Sequence, residues 1–84
     1  MRHFTDPDFW KHYQKLGVSV QRIADRNFKL LKAAPGHPSL PFKSVGRYWS
    51  VRVGLHHRAL GIRDGDDLIW FWIGSHADYD TMLR

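Results

Sequence analysis

Eighty-four residues are enough for one domain, 1–84, with a single modest core and a stability on the order of 5 kcal/mol. The absence of cysteine excludes disulfides and thiolate chemistry, and no window approaches the roughly 18 apolar residues of a membrane span, so a soluble cytoplasmic protein with no membrane attachment and no signal peptide is expected. The net charge of +5 is unevenly placed: from Phe9 to Arg63 eleven Lys or Arg stand against one acid, Asp25, which points to a polyanionic partner, nucleic acid or an acidic protein segment, with a merely soluble surface as the plainer alternative.

In chain order, Asp6-Pro7-Asp8 has the composition of a helix start, with Asp6 or Thr5 as N-cap and proline in the first turn. A first helix over 8–16 presents Phe9, Tyr13 and Leu16 at helical spacing, with Trp10 beside them, and Gly17 ends it. A second, over 19–33, gathers Val20, Ile23, Ala24, Asn27, Phe28 and Leu31 on one face and Arg22, Arg26, Lys29 and Lys32 on another. Two amphipathic helices joined by so short a turn form an antiparallel hairpin whose apolar face must cover a sheet. Residues 34–41 hold three prolines and one glycine and read as a loop in which His37 is incidental.

The sheet begins at 42–45, with Gly46-Arg47 as its first turn. In 48–54, alternation puts Trp49, Val51 and Val53 on one side and Tyr48, Ser50 and Arg52 on the other. Residues 54–57 connect to a strand over 58–63, and Asp64-Gly65-Asp66 reads as a hairpin turn of the Asp-Gly kind. Residues 68–73 are apolar on both faces and read as an interior strand; Gly74 breaks it, and Ser75 caps a short helix over 76–83 with Asp78 three residues on. The expected fold is α+β, a helical hairpin packed on a twisted antiparallel sheet with a short C-terminal helix. Its expected core is Trp49, Val51, Val53, Leu60, Ile62, Ile69 and Phe71.

Few residues here can carry chemistry. Arg58 opens a strand whose next four residues are apolar; an arginine there needs an anion, and the sequence leaves open whether that is a substrate phosphate or a structural pair with Asp66, Asp67 or Asp80. His76 lies in the first turn of a helix, where the dipole favours a neutral, proton-accepting ring, and Tyr79 lies on the same face; such a pair could move protons, or His76 could be a polar neighbour of the cap. His56 and His57 are adjacent on an extended chain and point opposite ways, with no carboxylates near in sequence, so no metal site is expected. There is no phosphate-binding glycine loop, nucleophile elbow or HExxH.

The order helix, helix, sheet, with Val51-Arg52-Val53 followed by Arg58-Ala59-Leu60 and the ending Trp72-Ile73-Gly74-Ser75-His76-Ala77-Asp78-Tyr79-Asp80, resembles the RelE/ParE superfamily of bacterial type II toxins. The ending is similar to the HigB-like branch, and the loop His37 to Lys43 is also family-like. The resemblance implies a cofactor-free mRNA endoribonuclease, ribosome-dependent or free, inhibited by an antitoxin from the adjacent gene. It implies that the RNA 2′-OH attacks the adjacent phosphorus to leave a cyclic phosphate without metal. Arg58 then matches the arginine on the scissile phosphate, and His76 and Tyr79 the C-terminal catalytic pair. Arg52 matches a basic position on the preceding strand, and His57 a position often aromatic. Lys43, Arg47 and Arg52 stand in for paired lysines that some ribosome-dependent members carry. The first strand of the family is expected to be short or missing in Met1 to Thr5. A ParE-like member that binds DNA gyrase without cleaving anything, or a basic RNA- or protein-binding module, are the alternatives.

Overall fold

The computed structural model describes residues 2–34 and 42–83, so most of the expected proline-rich loop, His37 included, lies outside the described residues. The elements run β1 (Arg2–Thr5), α1 (Pro7–Tyr13), α2 (Val18–Ala33), β2 (Phe42–Val45), β3 (Tyr48–Val53), β4 (His57–Asp64), β5 (Asp67–Ser75) and α3 (His76–Met82). The five strands form one sheet in the order β1-β5-β4-β3-β2. It is mixed rather than wholly antiparallel, because β1 pairs with β5 in parallel, Arg2 opposite Asp67 through Thr5 opposite Trp70. The first strand is thus short but present. Arg-His-Phe-Thr carries too little periodicity to announce a strand, and what holds it is the edge offered by β5.

Asp6 caps α1 through Oδ1, which accepts from the Phe9 N–H at 3.1 Å, and Pro7 follows in the first turn. The helix stops at Tyr13, a turn earlier than its apolar spacing suggests. The hairpin it makes with α2 is latched by the Tyr13 hydroxyl on Asp25 at 2.8 Å and by Gln21 Nε2 on the Tyr13 carbonyl at 3.1 Å. Both predicted β-turns are two-residue loops, Gly46-Arg47 and Gly65-Asp66. Each has glycine first at φ near +60° and no positive φ on the residue after it, the type II′ pattern; the second turn is therefore Gly-Asp, not Asp-Gly.

The helices cover one sheet face. Phe9, Ala24, Leu31, Val51, Val53, Ala59, Leu68, Trp70 and Ile73 are buried there, with Trp49 stacked on Phe42 at its margin. Leu60 is fully buried on the other face, against Trp72 and Tyr79 beneath α3. Ile62 is 38% exposed, and Ile69 and Phe71 are only partly buried, so these three do not belong to the helix-side core. A strand apolar on both faces has no alternation from which to read its phase. The phase also changes within β5: Leu60 pairs with Trp72 and Gly61 with Trp70, leaving Phe71 as a bulge that puts Leu68, Trp70 and Ile73 on the same side.

His3 is the one buried titratable group in the helix-side core among the described residues. Its Nδ1 accepts from Trp70 Nε1 at 3.2 Å, its ring stacks on the same indole, and its Nε2–H has no hydrogen-bond partner. Burial lowers its pKa, and Lys32 adds to the effect. The unfolded chain therefore takes up the proton first. Stability from this group is full above the ordinary value of 6.5 and is lost as pH falls toward the lowered one. Thermal unfolding from pH 8 to pH 5 is expected to show Tm falling below about pH 6.5, with a shallower fall in His3→Phe.

Candidate functional site

Cross-strand register assembles a site on the sheet face opposite α1 and α2. Arg58 is paired with Arg52 on one side and Gly74 on the other, Leu60 with Ser50 and Trp72, and Lys43 with Ser50. Partners in a ladder share a face, so Lys43, Arg52 and Arg58 converge on one surface. α3 is laid over it. Ser75 Oγ accepts from the Asp78 N–H at 3.1 Å to start the helix, and the His76 N–H donates to the His56 carbonyl at 2.7 Å, which ties that start to the β3–β4 turn.

Arg58 is only 9% exposed. Its Nε–H donates to His76 Nδ1 at 3.1 Å, one terminal nitrogen reaches the fully buried Ser50 hydroxyl at a long 3.5 Å, and its guanidinium lies 5.1 Å from the centre of the Tyr79 ring. Every one of these partners is neutral. Among the described residues no carboxylate forms an ion pair with Arg58: Asp67 is taken by Arg2, and Asp80 by His76. The structural pairs that the sequence left open are therefore not made. Burying a cation without a counter-ion costs several kcal/mol, and a face-on aromatic ring offsets roughly 0.5–2 kcal/mol of that. Arg52 directly opposite worsens the balance, since like charges facing each other across a ladder destabilise it. An anion between the two guanidiniums would reverse both terms.

The His76 tautomer follows from donor chemistry. An arginine Nε can only donate, so Nδ1 is the acceptor and Nε2 carries the hydrogen, with Asp80 Oδ2 3.3 Å from that nitrogen. The ring stacks on Tyr79 with centroids 5.8 Å apart. Tyr79 itself is buried with Leu60 and Trp72, so it is a platform under both Arg58 and His76.

Arg58, His76 and Tyr79 thus come together, with Arg52 opposite and Lys43 on the same face. Arg47 folds back onto Tyr48, its guanidinium 5.1 Å from that ring centre and bonded to its hydroxyl at 3.1 Å. Because Tyr48 pairs with Ile62, that contact lies four residues along β4 from Arg58, roughly 13 Å away. His57 is not with the others: as the neighbour of Arg58 in a strand it faces the opposite side, where it lines a cleft with His12 and Lys15. Sequence reasoning missed Ser50 as a partner of Arg58 and Asp80 as a partner of His76. The second was legible as an i,i+4 pair on a helix; the first needed the register.

A family model described as a ParE-like toxin domain matches residues 20–81. No curated protein matches the sequence. Solved structures do so in fold, among them a chain of the RelB–RelE antitoxin–toxin complex from Methanococcus jannaschii, with a TM-score of 0.77 at 13% identity over 96% of this chain and 99% of that one. A YoeB/ParE toxin from Agrobacterium tumefaciens aligns with a TM-score of 0.67 at 18% identity, over 90% and 99% of the two chains. The isolated RelE toxin from E. coli gives 0.63 at 10% identity, over 96% and 94%.

If Tyr79 is a platform rather than a hydrogen-bonding phenol, Tyr79→Phe should unfold within about 1 kcal/mol of wild type in denaturant, while Tyr79→Ala should lose about 3–5 kcal/mol. Equal losses in the two variants would show that the hydroxyl, not the ring, is what matters.

Proposed function

The chain belongs to the ParE-like toxin family, in the RelE/ParE superfamily of type II toxin–antitoxin toxins, and from that premise we propose that it is a cytoplasmic mRNA endoribonuclease of HigB-like type, inhibited by a cognate antitoxin and acting on ribosome-associated message. The observation that carries the reading is the buried, cation-rich but carboxylate-free setting of Arg58, with the nitrogen of a neutral histidine 3.1 Å from it. The ending Gly74-Ser75-His76-Ala77-Asp78-Tyr79-Asp80 supports the branch.

In this reading the scissile phosphate enters between Arg52 and Arg58. The Arg58 fork turns from His76 to the phosphate oxygens, which are the anion it lacks, and that movement frees the Nδ1 lone pair beside the reacting group. Nδ1 takes the proton of the ribose 2′-OH, the 2′-oxygen bonds to phosphorus, the bond from phosphorus to the 5′-oxygen breaks, and the leaving oxygen collects a proton from water. The products are a 2′,3′-cyclic phosphate and a 5′-hydroxyl. The carboxylate of Asp80, 3.3 Å from Nε2, stabilises the imidazolium by its charge, and both guanidiniums meet the charge that grows on the pentacoordinate phosphorus. The basic surface that would hold RNA would equally receive an acidic antitoxin segment.

The family's description as ParE-like keeps a second reading in view, inhibition of DNA gyrase without catalysis. Incubation of the purified protein with translating ribosomes, with free mRNA and with gyrase separates the two. Wild type is expected to cut mRNA, to leave cyclic phosphate ends, and to spare a substrate with a 2′-deoxy residue at the cut. Arg58→Ala should slow cleavage on the order of 10²-fold or more and His76→Ala 10² to 10⁴-fold. RNA binding and its salt slope should change little in either variant, since dispersed lysines and arginines dominate them. Gyrase inhibition with no cleavage in either RNA assay would establish the second reading.

A further inference from the structure

The helix side of the sheet, opposite Arg58, holds a pocket that the proposed reaction leaves unused. α1 and α2 are latched to each other near their turn, by the Tyr13 hydroxyl on Asp25 and by Gln21 on the Tyr13 carbonyl. Among the described residues no further side-chain hydrogen bond or ion pair joins the two helices. Between them lies a space of about 290 Å³. Trp10 and Tyr13 of α1 and Ala24 and Phe28 of α2 wall it, and Trp70 and Ile73 of β5 lie beneath. Both residues of this floor are buried, so the space opens to solvent only between the helices.

We propose that this pocket binds a small aromatic carboxylate, with the ring between the two helices and the carboxylate at Lys29 and Lys32. The sheet separates the pocket from Arg58, so the inference does not depend on the nuclease reading. Size and lining give the body of the ligand. The volume is at the small end of small-molecule sites, which run from roughly 300 to 1,000 Å³, and suits one or two rings rather than a long acyl chain. The walls are mostly apolar, and an apolar space of this kind takes up an apolar guest more readily than it takes up water.

Rings line it from both helices. Trp10 is 45% exposed, unusual for an indole that already sits edge-to-face against Phe9 and Tyr13 at 5.1 Å, and its Nε1–H donates to Thr5 Oγ1 at 3.0 Å, which holds the ring in place at the pocket. Aromatic rings paired in this way gain more than their buried area alone provides. Charge gives the other end of the ligand. Lys29 and Lys32 both line the pocket, both are exposed, and among the described residues neither forms an ion pair. The Lys32 ammonium lies 4.8 Å from the centre of the Phe28 ring, so a cation and an aromatic wall already stand together. Asp25 is the one acid among the lining residues, and it accepts from Tyr13 at the latched end, one and two helical turns before the lysines. An anionic group beside an aromatic body is what this mouth complements.

Titrating the full chain with indole-3-acetate, and with the uncharged indole-3-acetamide as its control, tests the site by backbone amide chemical shifts and by calorimetry. The expected result is saturable shifts at Trp10, Phe28, Lys29 and Lys32, affinity about fivefold higher for the acid than for the amide, and a Tm that rises with the concentration of the acid. Replacing both lysines, Lys29→Gln with Lys32→Gln, should bring the acid down to the affinity of the amide; both side chains are exposed, so the variant should fold. Ala24→Leu puts a branched apolar side chain into the pocket and should abolish binding of both probes while Tm stays at or above that of wild type. No saturable binding of either probe, binding that survives Ala24→Leu, or an acid that binds no better than the amide overturns the proposal. None of these outcomes bears on RNA cleavage, so the nuclease reading stands or falls separately.

Discussion

The arrangement of the open sheet face depends on one constraint, a guanidinium 9% exposed that is hydrogen-bonded only to neutral groups. An arginine in that position must be held by acceptors and ring faces. The surrounding sequence supplies them from two elements, a serine at zero exposure on β3 and a histidine nitrogen and a tyrosine face from α3, while β5 places a glycine beside it. The glycine matters because of Trp72. A Cβ at Gly74 would come within 2.5 Å of Cζ2 of that indole, so the ring occupies the place a side chain beside Arg58 would take. What anchors α3 in register with this arrangement is a single backbone hydrogen bond, from His76 to the His56 carbonyl, together with the burial of Tyr79.

The sheet serves two cores at once, and the bulge at Phe71 is what permits it. An unbroken β5 would alternate strictly and place Ile73 on the face opposite Leu68 and Trp70. The extra residue shifts the phase, so that Ile73 closes the helix-side core next to Ala59 while Trp72 turns to meet Leu60 and Tyr79. The same shift leaves an apolar row across the open face, Phe4, Ile69, Ile62 and Tyr48, partnered strand to strand and partly exposed. Arginines cover its two ends, Arg2 over Phe4 and Arg47 over Tyr48. The open face is thus graded from apolar at one end of the strands to cationic at the other.

Charge placement follows the same division. Two of the acids that could neutralise Arg58 are engaged elsewhere: Asp67 at the edge strand through Arg2, and Asp80 through His76. A cationic surface maintained this way keeps an unmet demand for an anion, which is a condition for binding phosphate and, equally, for being silenced by an acidic protein segment.

The local code alone determined a good deal. Asp6-Pro7, Ser75 followed by Asp78, the amphipathic spacing of α2 and the two glycine turns each act within a few residues, and each placed its element, although the second turn is Gly-Asp rather than Asp-Gly. Arg58 and His76 were also legible as candidates, because an arginine opening an apolar strand and a histidine at a helix start are visible anomalies in sequence, and the structure brings them together with Tyr79. Tertiary structure decided the rest, where the physics is non-local. The parallel pairing of β1 depends on an edge that β5 presents 65 residues away, as the Arg2–Asp67 hydrogen bonds show. The phase of a strand apolar on both sides depends on its neighbours' register and on one bulge. The parting of His57 from Arg58 follows from alternation, but which of the two would face α3 could be decided only when α3 docked, since that choice is made by the burial of Tyr79 and not by any preference of the residues themselves.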